Sequence, residues 1–231
     1  MQSSAAMNKN IRLETVLSFI KCGVLADIGT DHAFVPIQSC LTGKCERVIA
    51  CDVNAGPLGA AKKNIFESGF QERIETRLGD GLKPIIPGET DCIVISGIGG
   101  MGINRILNEE IETARSVDKL ILQPQHDAPR VRTELHGMKF EITDEKTAEQ
   151  DGRFYHIIVA VPSSRADSWS EADYLLGRYE FQKRNPVWKK FIEGEINKLY
   201  RYKSAITNLK NQKLTEINRK LELFRAILRR G

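Results

Sequence analysis

The sequence has no apolar run approaching the roughly 20 residues a helix needs to cross a bilayer, no CxxC pair and no GxGxxG in the turn after its first strand. The first absence excludes a helical membrane protein, so the chain reads as soluble. The second bears on the five cysteines, Cys22, Cys40, Cys45, Cys51 and Cys92. Their irregular spacing lacks the paired ligands of the usual zinc sites; no metal is expected, and they read as reduced, mostly buried thiols of a cytoplasmic protein. The opening MQSSAAMNKNIRLE also lacks the charged, apolar, small-residue order of a secretory signal. Met7 offers an alternative start, with residues 1–6 as an addition. The third absence weighs against a nicotinamide-type dinucleotide site.

What is present is an uneven distribution of charge. The chain carries 34 Lys and Arg against 30 Asp and Glu, a net +4. From Arg165 onward there are sixteen basic and eight acidic residues, which leaves eighteen against twenty-two before it. A basic tail therefore follows an acidic body. At 231 residues the length suits one α/β domain with an appendage. The expected division is 1–164 for the domain and 165–231 for a basic helical coiled-coil unit.

Between Val24 and Pro162, β-branched runs alternate with helical stretches, the pattern of a parallel sheet covered on both faces. Strands are expected at Val24–Ile28, Arg47–Val53, Ile74–Leu78, Cys92–Ser96 and Lys119–Gln123. Helices fit at Phe34–Leu41, Pro57–Ser68, Gly102–Ala114 and Pro129–His136. Two last runs, Lys139–Glu145 and Phe154–Val161, are joined by polar residues 146–153 without a helix, so they form an antiparallel pair. Nicotinamide-binding sheets ordinarily end in another parallel crossover. The antiparallel ending instead favours the Rossmann-like class I methyltransferase sheet, α/β and doubly wound, with seven strands. In the tail, Ser170 starts a short helix reaching about Arg184, and Asn185-Pro186 breaks it. Ile192, Ile196, Leu199, Ile206 and Leu209 then keep one heptad-like phase, and Ile217, Leu221, Phe224 and Leu228 another. The slip at Asn211-Gln212-Lys213 favours two antiparallel helices, a coiled-coil hairpin, over one long helix.

The first strand runs directly into Asp27-Ile-Gly-Thr-Asp-His-Ala33, where open α/β sheets bind ligands beyond the strand ends. Asp27 and Asp31 would repel a pyrophosphate but suit a cofactor bearing a sulfonium and an ammonium, with Gly29, Thr30 and His32 in the same turn. Asp52, followed by Val53 and Asn54, ends the second strand where a carboxylate can accept two ribose hydroxyls. Asp80 and Gly81 follow the third, placed for an adenine amine. After the fourth come Ser96, Gly97, Gly99, Gly100 and Met101, where small residues let backbone approach a flat acceptor base; tight helix packing would need the same glycines. Gln123 lies after the fifth strand, and Tyr155 offers a ring in the last. Together these residues point to S-adenosylmethionine.

At these positions the chain resembles the bacterial tRNA adenine-N1 methyltransferases that modify adenine 22. The resemblance rests on DIGTDHA (27–33), the acidic strand end at Asp52, GDGL (79–82), SGIGGMG (96–102), LQPQ (122–125), DGRFYHI (151–157) and the basic helical tail. It implies a tRNA substrate and a methyl transfer to adenine N1, which neither spacing nor composition supplies. Unlike enzymes that methylate exocyclic amines, the chain has no Asn-Pro-Pro-aromatic segment after its fourth strand. On this reading Asp31 is the catalytic group, accepting from the N6 amine, and the tail holds RNA phosphates. Two alternatives stand beside it: a methyltransferase of another RNA, a protein or a small molecule with a partner-binding tail, and a non-catalytic cofactor- and RNA-binding module. The sequence leaves the oligomeric state open between monomer and weak dimer.

Overall fold

A computed structural model of the protein describes residues 10–164, 168–183, 185–206 and 212–230. Met7, Arg165, Arg184, Leu209 and Asn211, on which some of the expectations above fall, lie outside the described residues. The body contains α1 (Ile11–Phe19), β1 (Val24–Ile28), α2 (Phe34–Leu41), β2 (Arg47–Asp52), α3 (Ala55–Glu67), β3 (Ile74–Leu78), β4 (Cys92–Ile98), α4 (Gly100–Glu109), α5 (Ile111–Arg115), β5 (Lys119–Pro124), α6 (Ala128–Gly137), β6 (Phe140–Gln150) and β7 (Arg153–Pro162). They form one seven-stranded sheet in the order β3-β2-β1-β4-β5-β7-β6. β1 to β5 pair in parallel, and β7 runs antiparallel between β5 and β6. The expected doubly wound sheet with an antiparallel end is present.

Strand periodicity divides the core in two. Ala26, Ile28, Ile49, Cys51, Ile93, Ile95, Leu120 and Leu122 face one layer of helices. Leu25, Val48, Ala50, Cys92, Val94 and Ile121 face the other. Successive strand side chains point to opposite faces, so a strand buried on both sides is apolar throughout, which is why these runs are uninterrupted in the sequence. The strand order reverses between β1 and β4, and the crevice of an open α/β sheet belongs at that reversal.

Three local expectations need correction. First, α1 was not anticipated: the Asn10 side chain accepts from the Leu13 amide at 3.1 Å, and Val16, Leu17 and Ile20 are buried in the second core layer. Second, the single helix expected over Gly102–Ala114 is two, because Glu110 leaves helical geometry at φ −124°, ψ 51°. Third, residues 146–150 are strand rather than connection. β6 and β7 meet at a two-residue turn, Asp151-Gly152, whose φ values of 52° and 72° are those of a tight hairpin. The polar side of this edge strand is matched from the tail: the Thr147 amide donates to Glu180 at 2.9 Å, and Lys190 pairs with Glu149 at 2.7 Å.

The tail comprises α7 (Glu171–Leu176), α8 (Arg178–Gln182), α9 (Pro186–Ser204) and α10 (Gln212–Arg230). Ser170 starts α7 with a reciprocal cap to Asp173, as expected. The short helix foreseen there is split at Gly177. This glycine has φ 88°, and a β-carbon on it would stand 3.0 Å from Glu145 and 3.1 Å from Arg132. Those two side chains form a fully buried ion pair at 2.6 Å, and Arg132 also donates to the Tyr174 carbonyl at 3.0 Å. The tail is thus docked on the body. α9 and α10 pack on each other, with Trp188, Ile192 and Phe224 joining Leu176 in a third apolar cluster.

Candidate active site

The turn after β1 is built under backbone constraint. The amides of Gly29 and Thr30 still donate to the Cys51 carbonyl on β2, at 2.9 and 2.8 Å. The chain then reverses through Gly29 at φ 77° and through His32 and Ala33 at 53° and 56°, left-handed values that cost a side-chain-bearing residue about 1–3 kcal/mol each. Asn64 of α3 donates to the His32 carbonyl at 2.9 Å and holds the strained turn. Ala33 is buried beneath, so Asp31 and His32 are thrown outward, with side chains 86% and 68% exposed and 3.4 Å apart. Asp27, by contrast, is 5% exposed. Burial pushes its carboxyl up to about 7, the Thr30 hydroxyl beside it partly offsets this, and the charge of Asp52 adds to it.

Around this turn lies a cavity of about 600 Å³, of the size that holds a cofactor-sized molecule. Its walls include Asp27, Gly29, Asp31, His32, Asp52, Val53, Asn54, Asp80, Gly81, Ser96 and Gly97, so the structure brings together residues spread over four strand ends. One oxygen of Asp52 accepts from the Asn54 amide at 2.7 Å, leaving the other for a hydroxyl donor. Asp80 is more committed than its sequence position suggests. Both of its oxygens accept from Arg105 at 3.0 Å, and this pairing holds the carboxyl below its usual range.

Six sequence-predicted residues stand elsewhere. Thr30 is fully buried and does not line the cavity. Gly99 and Gly100 are small because the chain after β5 lies against them: added β-carbons would meet the His126 ring at 2.7 Å and the Asp127 carbonyl at 2.8 Å. Packing against that loop is a reason for both glycines. Met101 is 63% exposed, outside the crevice. Gln123 is fully buried, accepting from Arg12 at 2.8 Å and from the Gly97 amide at 3.2 Å. It shapes the wall from behind. Tyr155 lines a second cavity next to the first.

Arg12 is the residue sequence reasoning missed. α1 delivers it over the crevice, where its guanidinium also donates to Ser96 at 3.1 Å and lies 5.9 Å from the Tyr155 ring. Burial lowers its pKa, against the raising influence of Tyr155 and Asp31. The spacing of Leu13, Val16, Leu17 and Ile20 behind an Asn cap was the available signal for its helix.

The model of the tRNA (adenine(22)-N(1))-methyltransferase family, TrmK, matches residues 25–226. The chain belongs to this family. The tRNA (adenine(22)-N(1))-methyltransferase of Bacillus subtilis (strain 168) is 34% identical over an alignment of 230 positions that covers 95% of this chain and 97% of that protein. A Streptococcus pneumoniae protein solved in complex with S-adenosyl-L-methionine aligns with a TM-score of 0.85 at 31% identity, over 94% of this chain and 98% of its own. M. capricolum TrmK, solved with S-adenosyl-homocysteine, aligns with a TM-score of 0.84 at 27% identity, over 96% of this chain and 98% of its own.

The crevice fits such a cofactor chemically. Among the described residues Asp27 and Asp31 have no basic hydrogen-bond or ion-pair partner other than His32, so they suit a sulfonium and an ammonium. Among the described residues the side-chain acceptors of Arg12 are the neutral Ser96 and Gln123, which leaves its charge for a carboxylate. Among the described residues no group of three or more His, Cys, Asp or Glu is placed to hold a metal ion. No helix there is long and apolar enough to cross a membrane. The five cysteines are free, and all but Cys22 are buried.

Proposed function

We propose that this chain transfers the methyl group of S-adenosylmethionine to N1 of adenine 22 in tRNA. The observation that carries the reading is the carboxylate-lined crevice at the strand-order reversal, in a chain that belongs to the adenine-22 N1 methyltransferases. When bound, the cofactor supplies a methyl group on a positively charged sulfur. Adenine N1 bears a ring lone pair and no proton, so the protein orients the base rather than deprotonating it. Asp27 would hold the cationic cofactor through its buried carboxyl. Asp52 accepts from ribose hydroxyls. Asp31, exposed at the crevice mouth, accepts from the N6 amine and stabilises the positive charge that grows on the ring as N1 is methylated. His32 beside it orients that carboxylate. Gln123 acts indirectly, by fixing Arg12 and Gly97.

In a base pair N1 is hidden, so the nucleotide must leave its stack to react. Residues 1–164 then form the catalytic domain, and 165–231 a basic helical hairpin that holds the RNA. The protein works in the cytoplasm, where its substrate is. The test is methyl transfer from isotope-labelled S-adenosylmethionine to a tRNA transcript and to the same transcript with guanine at position 22. Label on the first alone supports the reading; equal labelling of both, or of neither, overturns it.

A further inference from the structure

Four of the five cysteines, Cys22, Cys40, Cys45 and Cys92, lie toward the starts of the parallel strands, the end of the sheet opposite the crevice. They meet in two pairs. The Cys45 thiol donates to Cys40, and the Cys92 thiol donates to Cys22. The backbone around the second pair brings it together. The Val24 amide donates to the Asp91 carboxylate at 2.7 Å, and the Asp91 amide donates back to the Val24 carbonyl at 2.9 Å. A β-carbon on Gly23 would stand 2.8 Å from that carboxylate, so Gly23 lies against Asp91 and their chain neighbours Cys22 and Cys92 converge. The two pairs differ in access. Cys40 and Cys45 are both buried and so is Cys92, whereas Cys22 is only half-buried.

The thiolate is the form that attacks a peroxide, so reactive thiols are partly exposed, stand near a cation and have a second thiol within reach. Cys22 meets all three conditions. The hydrogen bond from Cys92 holds its thiol below the ordinary range; desolvation opposes this, the Lys119 ammonium assists it, and Asp91 and Asp118 oppose it by smaller amounts. Lys119 is fixed in place, since it pairs with Cys92 across β4 and β5 and donates to the Phe19 carbonyl at the end of α1 at 2.8 Å. The same hydrogen bond, together with burial, pushes the Cys92 thiol up, so it stays protonated until Cys22 has reacted. Neither cysteine nor Lys119 lines the cofactor crevice.

We propose that Cys22 and Cys92 form a modification site, a dithiol that hydrogen peroxide converts to a disulfide. The Cys22 thiolate attacks one peroxide oxygen, the O–O bond breaks, and a sulfenic acid forms at Cys22. The hydroxide released takes up the proton that the thiol had lost and leaves as water. The Cys92 sulfur then attacks the Cys22 sulfur, the S–O bond breaks, and the hydroxyl departs with the Cys92 proton as a second water. Two thiols are oxidised and one peroxide is reduced. The disulfide ties the segment after α1 to the start of β4. At the other end of these two elements Arg12 donates to Ser96, so oxidation fixes the helix that carries Arg12.

The test treats the reduced full chain with hydrogen peroxide, blocks remaining thiols with iodoacetamide and cleaves before aspartates for mass spectrometry. Such cleavage leaves Cys22 in residues 1–26, Cys40, Cys45 and Cys51 together in 31–51, and Cys92 in 91–117, so each linkage has its own mass. The expected product is 1–26 joined to 91–117, and dithiothreitol should separate it. Cys92→Ser should leave Cys22 as a sulfenic acid that dimedone captures. Cys22→Ser should leave Cys92 unmodified at the same peroxide dose, because a buried thiol needs Cys22 to react first. Lys119→Met should slow formation of the link by about three- to ten-fold through a smaller thiolate fraction. The linkage in the unaltered protein is read without any substitution, so it decides the matter even where a variant fails to fold. No link between 1–26 and 91–117, a link within 31–51 in its place, or dimedone capture at Cys92 in Cys22→Ser overturns the proposal.

Discussion

The two walls of the active region have opposite charge and opposite origin. The wall made by the strand ends is acidic, with Asp27 of β1, Asp31 of the turn after it and Asp52 at the end of β2 reaching a single cavity. The wall made by the hairpin and α9 is basic, with Arg153 and Lys198 around the adjoining space. A cationic cofactor and a polyanionic substrate must meet at one point yet be held by separate surfaces. Arg12 stands where they join, donating to the neutral Ser96 and Gln123. The difference also shows in how each wall is secured. The acidic one depends on backbone geometry, a left-handed turn over a buried carboxyl, whereas the basic one depends on tertiary docking through the buried Arg132–Glu145 pair.

The largest effect should come from the acidic wall. Asp31→Ala should lower the single-turnover methylation rate by at least about a hundred-fold while S-adenosylmethionine binding stays measurable by calorimetry, because a group that stabilises developing charge acts mainly in the transition state. Retention of full activity would remove Asp31 from the chemistry. Next in size is Asp27→Asn, which should weaken cofactor affinity by about ten-fold or more through loss of a buried carboxylate facing a cation.

That variant also carries a pH signature. With its carboxyl held up to about 7, native Asp27 binds more protons than the unfolded chain between about pH 4 and 7, so it makes stability fall as pH rises through that window, by at most about 4 kcal/mol. Denaturant titrations of Asp27→Asn should lack this fall. Cofactor affinity in the unaltered protein should rise toward pH 7, as Asp27 becomes ionised, and in Asp27→Asn it should not. His156 gives the opposite sign. Burial and the nearby Arg132 hold it down to about 3, so its contribution to stability is lost as pH falls below about 6.5.

Arg12→Ala sharpens the comparison differently. Because Arg12 borders both cavities, it should raise the KM for cofactor and for tRNA together, each by about five- to ten-fold. A change in only one would assign Arg12 to a single wall. The smallest effect is expected from Asn64→Ala, which releases the His32 carbonyl. Loss of one hydrogen bond should cost about 1 kcal/mol in thermal or chemical unfolding, with a modest rise in cofactor KM.

The acidic wall was far more legible in the sequence than the basic one. Asp52 closes an apolar strand run and Asp27 stands one residue before the end of another, so strand ends and site residues are marked by the same signal, whereas Asp80 follows a more polar strand. Arg12 carries no such mark. Its role exists only through contacts with Ser96 and Gln123, 84 and 111 residues away. Gly99 and Gly100 show the converse limit, since a glycine that admits a ligand and a glycine that admits a neighbouring loop look alike until the loop is in place. Residues 146–150 read as a connection because their polar side chains answer to α8 and α9, which the local sequence cannot place. The tail shows its helices by periodicity, and its split at Gly177 only by the ion pair beneath.

The most direct test of the account is mass-spectrometric mapping of a tRNA mixture incubated with S-adenosylmethionine and either the unaltered protein or Asp31→Ala. The account predicts 1-methyladenosine at position 22 with the unaltered protein and none above background with the variant. Methylation at another atom or position, or an equal yield from the variant, would contradict it.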